Sequence, residues 1–182
     1  MRGGEAAAGA RENAGVTAGN GVLSGRALFV LDGAEAGGYV VADNAGGLHI
    51  LRANASGLNK IGLKTIDRTR VVMELRFENT PAEPLRNNSD VLQTIIDAGR
   101  ASLAADSLGA SEEMLRQSVD YAADRKQFGR TIASFQAVKH MCAEMAAALE
   151  PCRSMVWYAA HALDELPDEA PMMASHTKAH LS

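Results

Sequence analysis

The chain has 182 residues, enough for one ordinary domain or two small ones with a buried core. Apolar residues make up 47% but aromatics only 4%, so a core must rest on Ala, Leu, Val, Ile and Met. A net charge of -4 argues against the basic surface that nucleic-acid binding needs, and no apolar run approaches the ~18 residues of a membrane-spanning helix.

Residues 1–20 are Gly/Ala-rich with mixed charge and no period, which predicts a poorly ordered N-terminus. They also lack the continuous apolar stretch of a signal peptide. From 21 to about 80 the pattern is strand-like. "ALFVL" (27–31), "YVVA" (39–42) and "LHIL" (48–51) are short apolar runs, separated by "DGAEAGG", "DNAGG" and "NASG". Those separators are turn chemistry, and the first two read as hairpin turns. The clearest strand is "RVVMELRFE" (70–78). Val71, Met73, Leu75 and Phe77 fall on one face, and Glu74, Arg76 and Glu78 on the other. Such alternation predicts a half-buried antiparallel strand. "NTPAEPLRNN" (79–88), with two prolines, ends the sheet and reads as a linker.

Beyond the linker the chain is helical. Asn88 or Ser89 can cap a helix running to about residue 125, weakened only at Gly99 and Gly109. Ser134 is expected to cap the next one. Its apolar positions are Val138, Cys142, Met145, Leu149, Cys152, Val156, Ala159 and Leu163, alternating steps of 4 and 3. That is the seam of a helix packed nearly antiparallel on a neighbour. Pro151 should kink it, and "ELPDEAP" (165–171) should end it. The last residues, "MMASHTKAHLS", resemble the first turns of a further helix. The expected fold is α+β, an antiparallel sheet segment followed by a long-helix antiparallel bundle. The expected organisation is a loose 1–20, a β region over 21–86 and a helical region over 87–182.

Cys142 and Cys152 lie ten residues apart on one predicted helix, roughly 15 Å along its axis, too far for a disulfide. Two unpaired thiols suit a reducing compartment, so a cytoplasmic location is expected. His176 and His180 share a helical face, but no third ligand accompanies them, so no metal site is expected.

The turn at 125–130, Arg-Lys-Gln-Phe-Gly-Arg, has two readings. In one it is a solvated helix–helix turn, with Gly129 as C-cap and Phe128 plugging the end of the bundle. In the other it is an anion site. Guanidinium offers fixed paired donors that suit a phosphate or pyrophosphate, and the N-terminus of the following helix adds partial positive charge.

"YAADRKQFGRTIASFQAVKHMCAEMAA" resembles the helix–turn–helix of the acyl-CoA dehydrogenase family. The shared frame is Tyr-x-x-x-Arg-x-Gln-Phe-Gly-x-x-Ile-x-x-Phe-Gln, followed by an Ala-Glu-Met helix. "GVLSGRALFVLDGAEAGGYVVA" and "LKTIDRTRVVMELRFENTPAEPL" resemble parts of that family's middle β-domain. "DAGRASLAADSLGASEEML" resembles the first long helix of its C-terminal bundle. The resemblance implies an FAD-dependent oxidoreductase that places an α,β double bond in acyl-CoA thioesters. Its electrons would pass to an electron-transferring flavoprotein.

It further implies that Arg125, Gln127, Phe135 and Gln136 contact FAD, often held mainly by a partner subunit, which points to a homo- or hetero-oligomer. Asp97, Ala98, Gly99 and Arg100 correspond to a segment approaching the acyl-CoA. The segments expected to hold the flavin ring and the usual catalytic glutamate find no match. Gly99, where a minority of members carry that glutamate, has no carboxylate, so no catalytic base is assigned. The chain is accordingly expected to be truncated and inactive alone. The alternative is a non-catalytic helical interaction module or partner subunit.

Overall fold

A computed structural model describes residues 15–86 and 90–182. The chain divides into two compact units between Leu92 and Gln93. The first unit holds seven strands among its described residues: β1 (Val16–Gly19), β2 (Val22–Leu31), β3 (Gly38–Ala42), β4 (Leu48–Arg52), β5 (Leu58–Leu63), β6 (Val72–Pro81) and β7 (Glu83–Pro84). They form two antiparallel sheets, ordered β1-β2-β6-β5 and β3-β4-β7. Val16, Leu23, Met73, Leu75 and Phe77 of one sheet and Tyr39, Val41 and Leu51 of the other make one buried cluster. Few of these side chains are aromatic, as the composition required.

The turns behave less uniformly than their sequences suggest. "DNAGG" closes the β3–β4 hairpin, in which Ala42 faces Leu48. "DGAEAGG", expected to be a hairpin turn, instead carries the chain from β2 in one sheet to β3 in the other. "NASG" returns it from β4 to β5. Turn residues let the backbone reverse, but the burial of apolar faces selects the partner strand. β1 lies inside the stretch expected to be poorly ordered. It pairs with β2 across Asn20–Gly21, and Asn20 adopts φ 53°. An Asn-Gly pair suits the tight hairpin turn that composition obscured. The region read as a linker is also partly strand, since β6 reaches Pro81 and β7 pairs with β4.

In β6, Met73, Leu75 and Phe77 are buried as the alternation predicts, whereas Val71 precedes the strand and is 52% exposed. Glu74, expected on the polar face, is also buried. Its carboxylate accepts a 2.7 Å hydrogen bond from Arg76 Nε and faces Arg26 at 3.9 Å. The Arg76 guanidinium holds the Glu74 carboxyl below the usual carboxylate range. A charge paired this way can be covered where an unpaired one could not.

The β3–β4 turn is tied by Asp43. Its Oδ1 accepts hydrogen bonds from the backbone N–H of Ala45 and of Gly47, each 2.8 Å, and its Oδ2 lies 2.9 Å from His49 Nε2. Burial alone would push the Asp43 carboxyl up. The bonds from His49, Gly47 and Ala45 outweigh it and leave the pKa lowered. A carboxylate depressed in the folded state contributes stability above its unfolded pKa and loses it as pH falls through the folded pKa. The melting-temperature gap between wild type and Asp43→Asn should therefore narrow as pH falls from about 4. A gap independent of pH in calorimetry would mean that the charge contributes nothing.

In the second unit, α1 (Asp90–Asp124) is followed by a small hairpin, β8 (Lys126–Gln127) and β9 (Arg130–Thr131). A 3-10 turn (Ile132–Ser134), α2 (Gln136–Glu165) and α3 (Ala170–His180) complete it. The cap candidates Asn88 and Ser89 lie outside the described residues. α1 has 35 residues and so is about 50 Å long. It buries Asp97, Ala101, Ala104 and Leu108, spaced 4, 3 and 4 along one face.

α2 runs through Pro151 without interruption. Proline removes one hydrogen bond, a local loss that a long helix with a packed face tolerates. Its expected seam holds the buried Cys152 and Ala159, whereas Met145 is 39% exposed. Ala162 joins these, and α3 offers Ala170, Ala174 and Thr177, all buried. Thr177 Oγ1 donates to the Met155 carbonyl at 3.3 Å, and Tyr158 Oη donates to Glu169 at 2.7 Å. Glu112 of α1 accepts a hydrogen bond from Arg153 Nε of α2 at 3.1 Å. Both cysteines are unpaired. No helix among the described residues is long and apolar enough to cross a membrane.

Candidate functional site

The link between α1 and α2 is a two-stranded ribbon rather than a plain helix–helix turn. Lys126 faces Thr131 and Gln127 faces Arg130. The Ile132 N–H donates to the Arg125 carbonyl at 2.8 Å and closes its base. Phe128 (φ 55°) and Gly129 (φ 77°) form the tip, both left-handed. That pair of conformations matches the right-handed twist of a hairpin. Glycine adopts it freely, whereas an aromatic residue there is strained. Gly129 is thus a turn-tip residue and not the C-cap of α1. Phe128 is 90% exposed, so it plugs nothing.

Behind the tip, Phe128 meets Phe135 edge to face, with ring centroids 6.1 Å apart. Arg130 stacks its guanidinium 4.0 Å from the centre of the Phe135 ring. This contact orients Arg130 and covers one face of Phe135. Gln127 Nε2 donates to the neighbouring Lys126 carbonyl at 2.9 Å, and its side chain is exposed. Among the described residues, no hydrogen bond or ion pair engages the exposed Arg125 guanidinium.

Ser134 does not cap α2. Its hydroxyl donates to the Thr131 carbonyl at 2.7 Å inside the 3-10 turn. The N-cap is Phe135, which supplies no side-chain cap bond, and the first turn holds no acidic residue. The first backbone N–H groups of α2 therefore lack a side-chain acceptor. Gln136 opens this turn, and its Nε2 lies 3.4 Å from His140 Nε2. Arg125, Gln127, Phe135 and Gln136 are thus gathered around one hairpin and one helix start. Phe128 was not among the candidate contacts and Arg130 entered only as the second guanidinium of the anion-site reading; both belong to the same surface. Their signal in the sequence is an aromatic beside a glycine flanked by cations, where a plain turn needs neither.

The second group lies on α1. Asp97 has a side chain 2% exposed, while that of Arg100 is 38% exposed. Arg100 Nη1 donates to Asp97 Oδ1 at 2.9 Å, and Gln93 Nε2 donates to both Asp97 oxygens at 2.9 Å. Ala98 and Gly99 are exposed. A Cβ built on Gly99 meets nothing within 4 Å, so the backbone there borders open space.

Residues 89–182 match the family model described as "Acyl-CoA dehydrogenase, C-terminal domain". The chain is 30% identical over 158 residues to the short-chain-specific acyl-CoA dehydrogenase of Megasphaera elsdenii, covering 76% of this chain and 40% of that one. It is 35% identical over 111 residues to the caffeyl-CoA reductase-Etf complex subunit CarC of Acetobacterium woodii, covering 61% of this chain and 29% of that one. The solved structure of butyryl-CoA dehydrogenase from Megasphaera elsdenii superposes with a TM-score of 0.79 at 23% identity. That match covers 94% of this chain and 50% of the other, and it shows the fold. The chain thus spans less than half the length of these curated relatives. The match over 89–182, together with the shared fold, shows that the chain belongs to the acyl-CoA dehydrogenase family.

Proposed function

We propose that this chain contributes FAD- and acyl-CoA-contacting surfaces to an FAD-dependent oxidoreductase that introduces an α,β double bond into acyl-CoA thioesters. The single observation that carries the reading is the hairpin at 125–131. It contains two guanidiniums, an ammonium and an amide, and no carboxylate. Beside it stands a helix start without a side-chain cap.

That donor set fits a pyrophosphate. Arg125 would supply paired N–H donors, Gln127 an amide donor, and Gln136 with the first N–H groups of α2 the dipole end of a helix. The exposed ring of Phe128 and the braced ring of Phe135 offer apolar faces beside those donors. When bound, FAD supplies the redox chemistry, and the protein supplies binding, alignment and electrostatics.

On α1, Arg100 would meet an anionic group of the acyl-CoA, with Ala98 and Gly99 leaving room for the ligand. No carboxylate of this chain is assigned as the base. In this reading the first unit is part of the middle β-domain, and the assembly is a homo- or hetero-oligomer in which a partner holds most of the flavin. Electron-transferring flavoprotein is the proposed acceptor; the name of the relative CarC, a subunit of a reductase-Etf complex, supports association with such a flavoprotein. The unpaired Cys142 and Cys152 suit a cytoplasmic location.

The test is flavin binding. The purified chain, alone and with the segments that complete the longer relatives, is titrated with FAD and followed by flavin fluorescence. Saturable binding by the completed assembly is expected. If neither the chain nor the assembly binds FAD, the oxidoreductase reading fails and a non-catalytic helical module takes its place.

A further inference from the structure

Asp97 has a carboxylate with almost no surface of its own, and both its oxygens accept hydrogen bonds. Gln93, Asp97 and Arg100 follow one another at steps of 4 and 3 on α1. Residues so spaced share a helical face. A carboxylate buried this deeply cannot reach a ligand in bulk solvent, whereas the Arg100 side chain is partly exposed.

We infer that Asp97 is a positioning residue: with Gln93 it fixes the guanidinium of Arg100, so that the donors Asp97 leaves free face an anionic group of the ligand. The inference rests on the proposed function for the identity of that ligand, but not for the ordering of Arg100.

The physical argument has three parts. An arginine carries five N–H donors on a flat, rigid fork, and among the described residues only the Nη1 donation to Asp97 engages it. Its stem is long and rotamer-rich, so an unheld guanidinium would have to be immobilised at the moment of binding. A carboxylate held on both oxygens by the Gln93 amide cannot rotate with the arginine, so it sets the plane of the fork beforehand. Preorganisation of this kind raises affinity by lowering the ordering cost of binding. A pair serving only to stabilise the helix would not need the carboxylate covered and doubly held, since exposed i,i+3 pairs suffice for that.

The experiment uses the full chain and side-chain nitrogen NMR of its arginine Nε–H groups, with Arg100 assigned from the Arg100→Lys variant. In wild type the Arg100 Nε–H is expected to be as ordered as the backbone of α1. In Asp97→Asn it should become mobile while the α1 backbone stays ordered. Coenzyme A is then titrated into each variant. Asp97→Asn and Arg100→Ala should each weaken binding, Arg100→Ala by roughly tenfold. The double variant should be no weaker than Arg100→Ala alone, because the aspartate acts through the arginine.

An Arg100 equally ordered without the carboxylate overturns the inference. So do losses that add in the double variant, which would mean that Asp97 contributes independently. If Asp97→Asn does not fold, Gln93→Ala replaces it. Partial loosening of Arg100 is then the supporting result and unchanged order the opposing one. Absence of coenzyme A binding by wild type counts against the acyl-CoA reading, and the ordering measurement still decides the role of Asp97.

Discussion

Gly25→Ala is expected to destabilise the β unit by about 3 kcal/mol, the upper end of what one strained residue costs. Gly25 has φ 122°, which L side chains rarely adopt. A Cβ there would fall 2.1 Å from the Gly15 carbonyl oxygen, on backbone that cannot swing aside. That carbonyl also accepts the Arg26 N–H at 3.2 Å, so moving it would weaken a bond that ties Gly15 to β2. The register of β2 on β6 shifts between Leu23 and Gly25, so the strand is already bulged at this point. A bulge often relies on the freedom of glycine. For a unit of this size the loss corresponds to a fall in melting temperature of about 12–24 °C. Gly62→Ala in β5 is the control. Nothing lies within 4 Å of a Cβ there, and its effect should be small. Equal melting temperatures for Gly25→Ala and wild type would sink the argument.

Arg125→Ala should leave the fold nearly untouched and weaken FAD binding by about tenfold or more in the assembly that binds it. The arginine is exposed, and among the described residues it is held through its backbone alone, by its N–H on the Tyr121 carbonyl and its carbonyl on the Ile132 N–H. Alanine keeps both of those bonds. An exposed arginine contributes on the order of 0–1 kcal/mol to stability, while a charge-assisted bond to a phosphate oxygen is stronger, about 1.5–3 kcal/mol. Arg125→Lys should rescue only part of the affinity, because an ammonium cannot make the paired contact of a guanidinium. Thermal unfolding and FAD titration of the same samples separate the outcomes. A collapsed bundle with unchanged FAD affinity would make the hairpin structural.

Both substitutions address places where local sequence and tertiary structure meet, and they show where each one speaks. The alternation in 72–77 was enough to place Met73, Leu75 and Phe77 in a core, because a strand has only two faces. The 4–3 steps of α2 placed Cys152 and Ala159 inside for the same reason, a helix having one stripe per neighbour. The residues around 125–136 were legible as a cluster because their spacing matches a shared frame, and because two guanidiniums near one glycine exceed what a turn requires.

Tertiary structure decided what depends on a partner distant in the chain. Glu74 is buried because Arg76 on its own strand and Arg26 of the neighbouring β2 neutralise it, and alternation alone marks every carboxylate as exposed. "DGAEAGG" and "DNAGG" carry similar residues, yet one bridges two sheets and the other closes a hairpin, since the choice lies in which strand covers the apolar face. Ser134 had the chemistry of a cap, but the 3-10 turn gave its hydroxyl to Thr131 and left the start of α2 without one. Phe128 had the chemistry of a core residue, and the left-handed hairpin tip turned it outward. Period and composition thus determined the kinds of element and the cluster of cations. Pairing between distant strands, which no local pattern encodes, decided that Glu74 is covered, and the backbone geometry of the hairpin and the 3-10 turn decided which ring and helix end remain open.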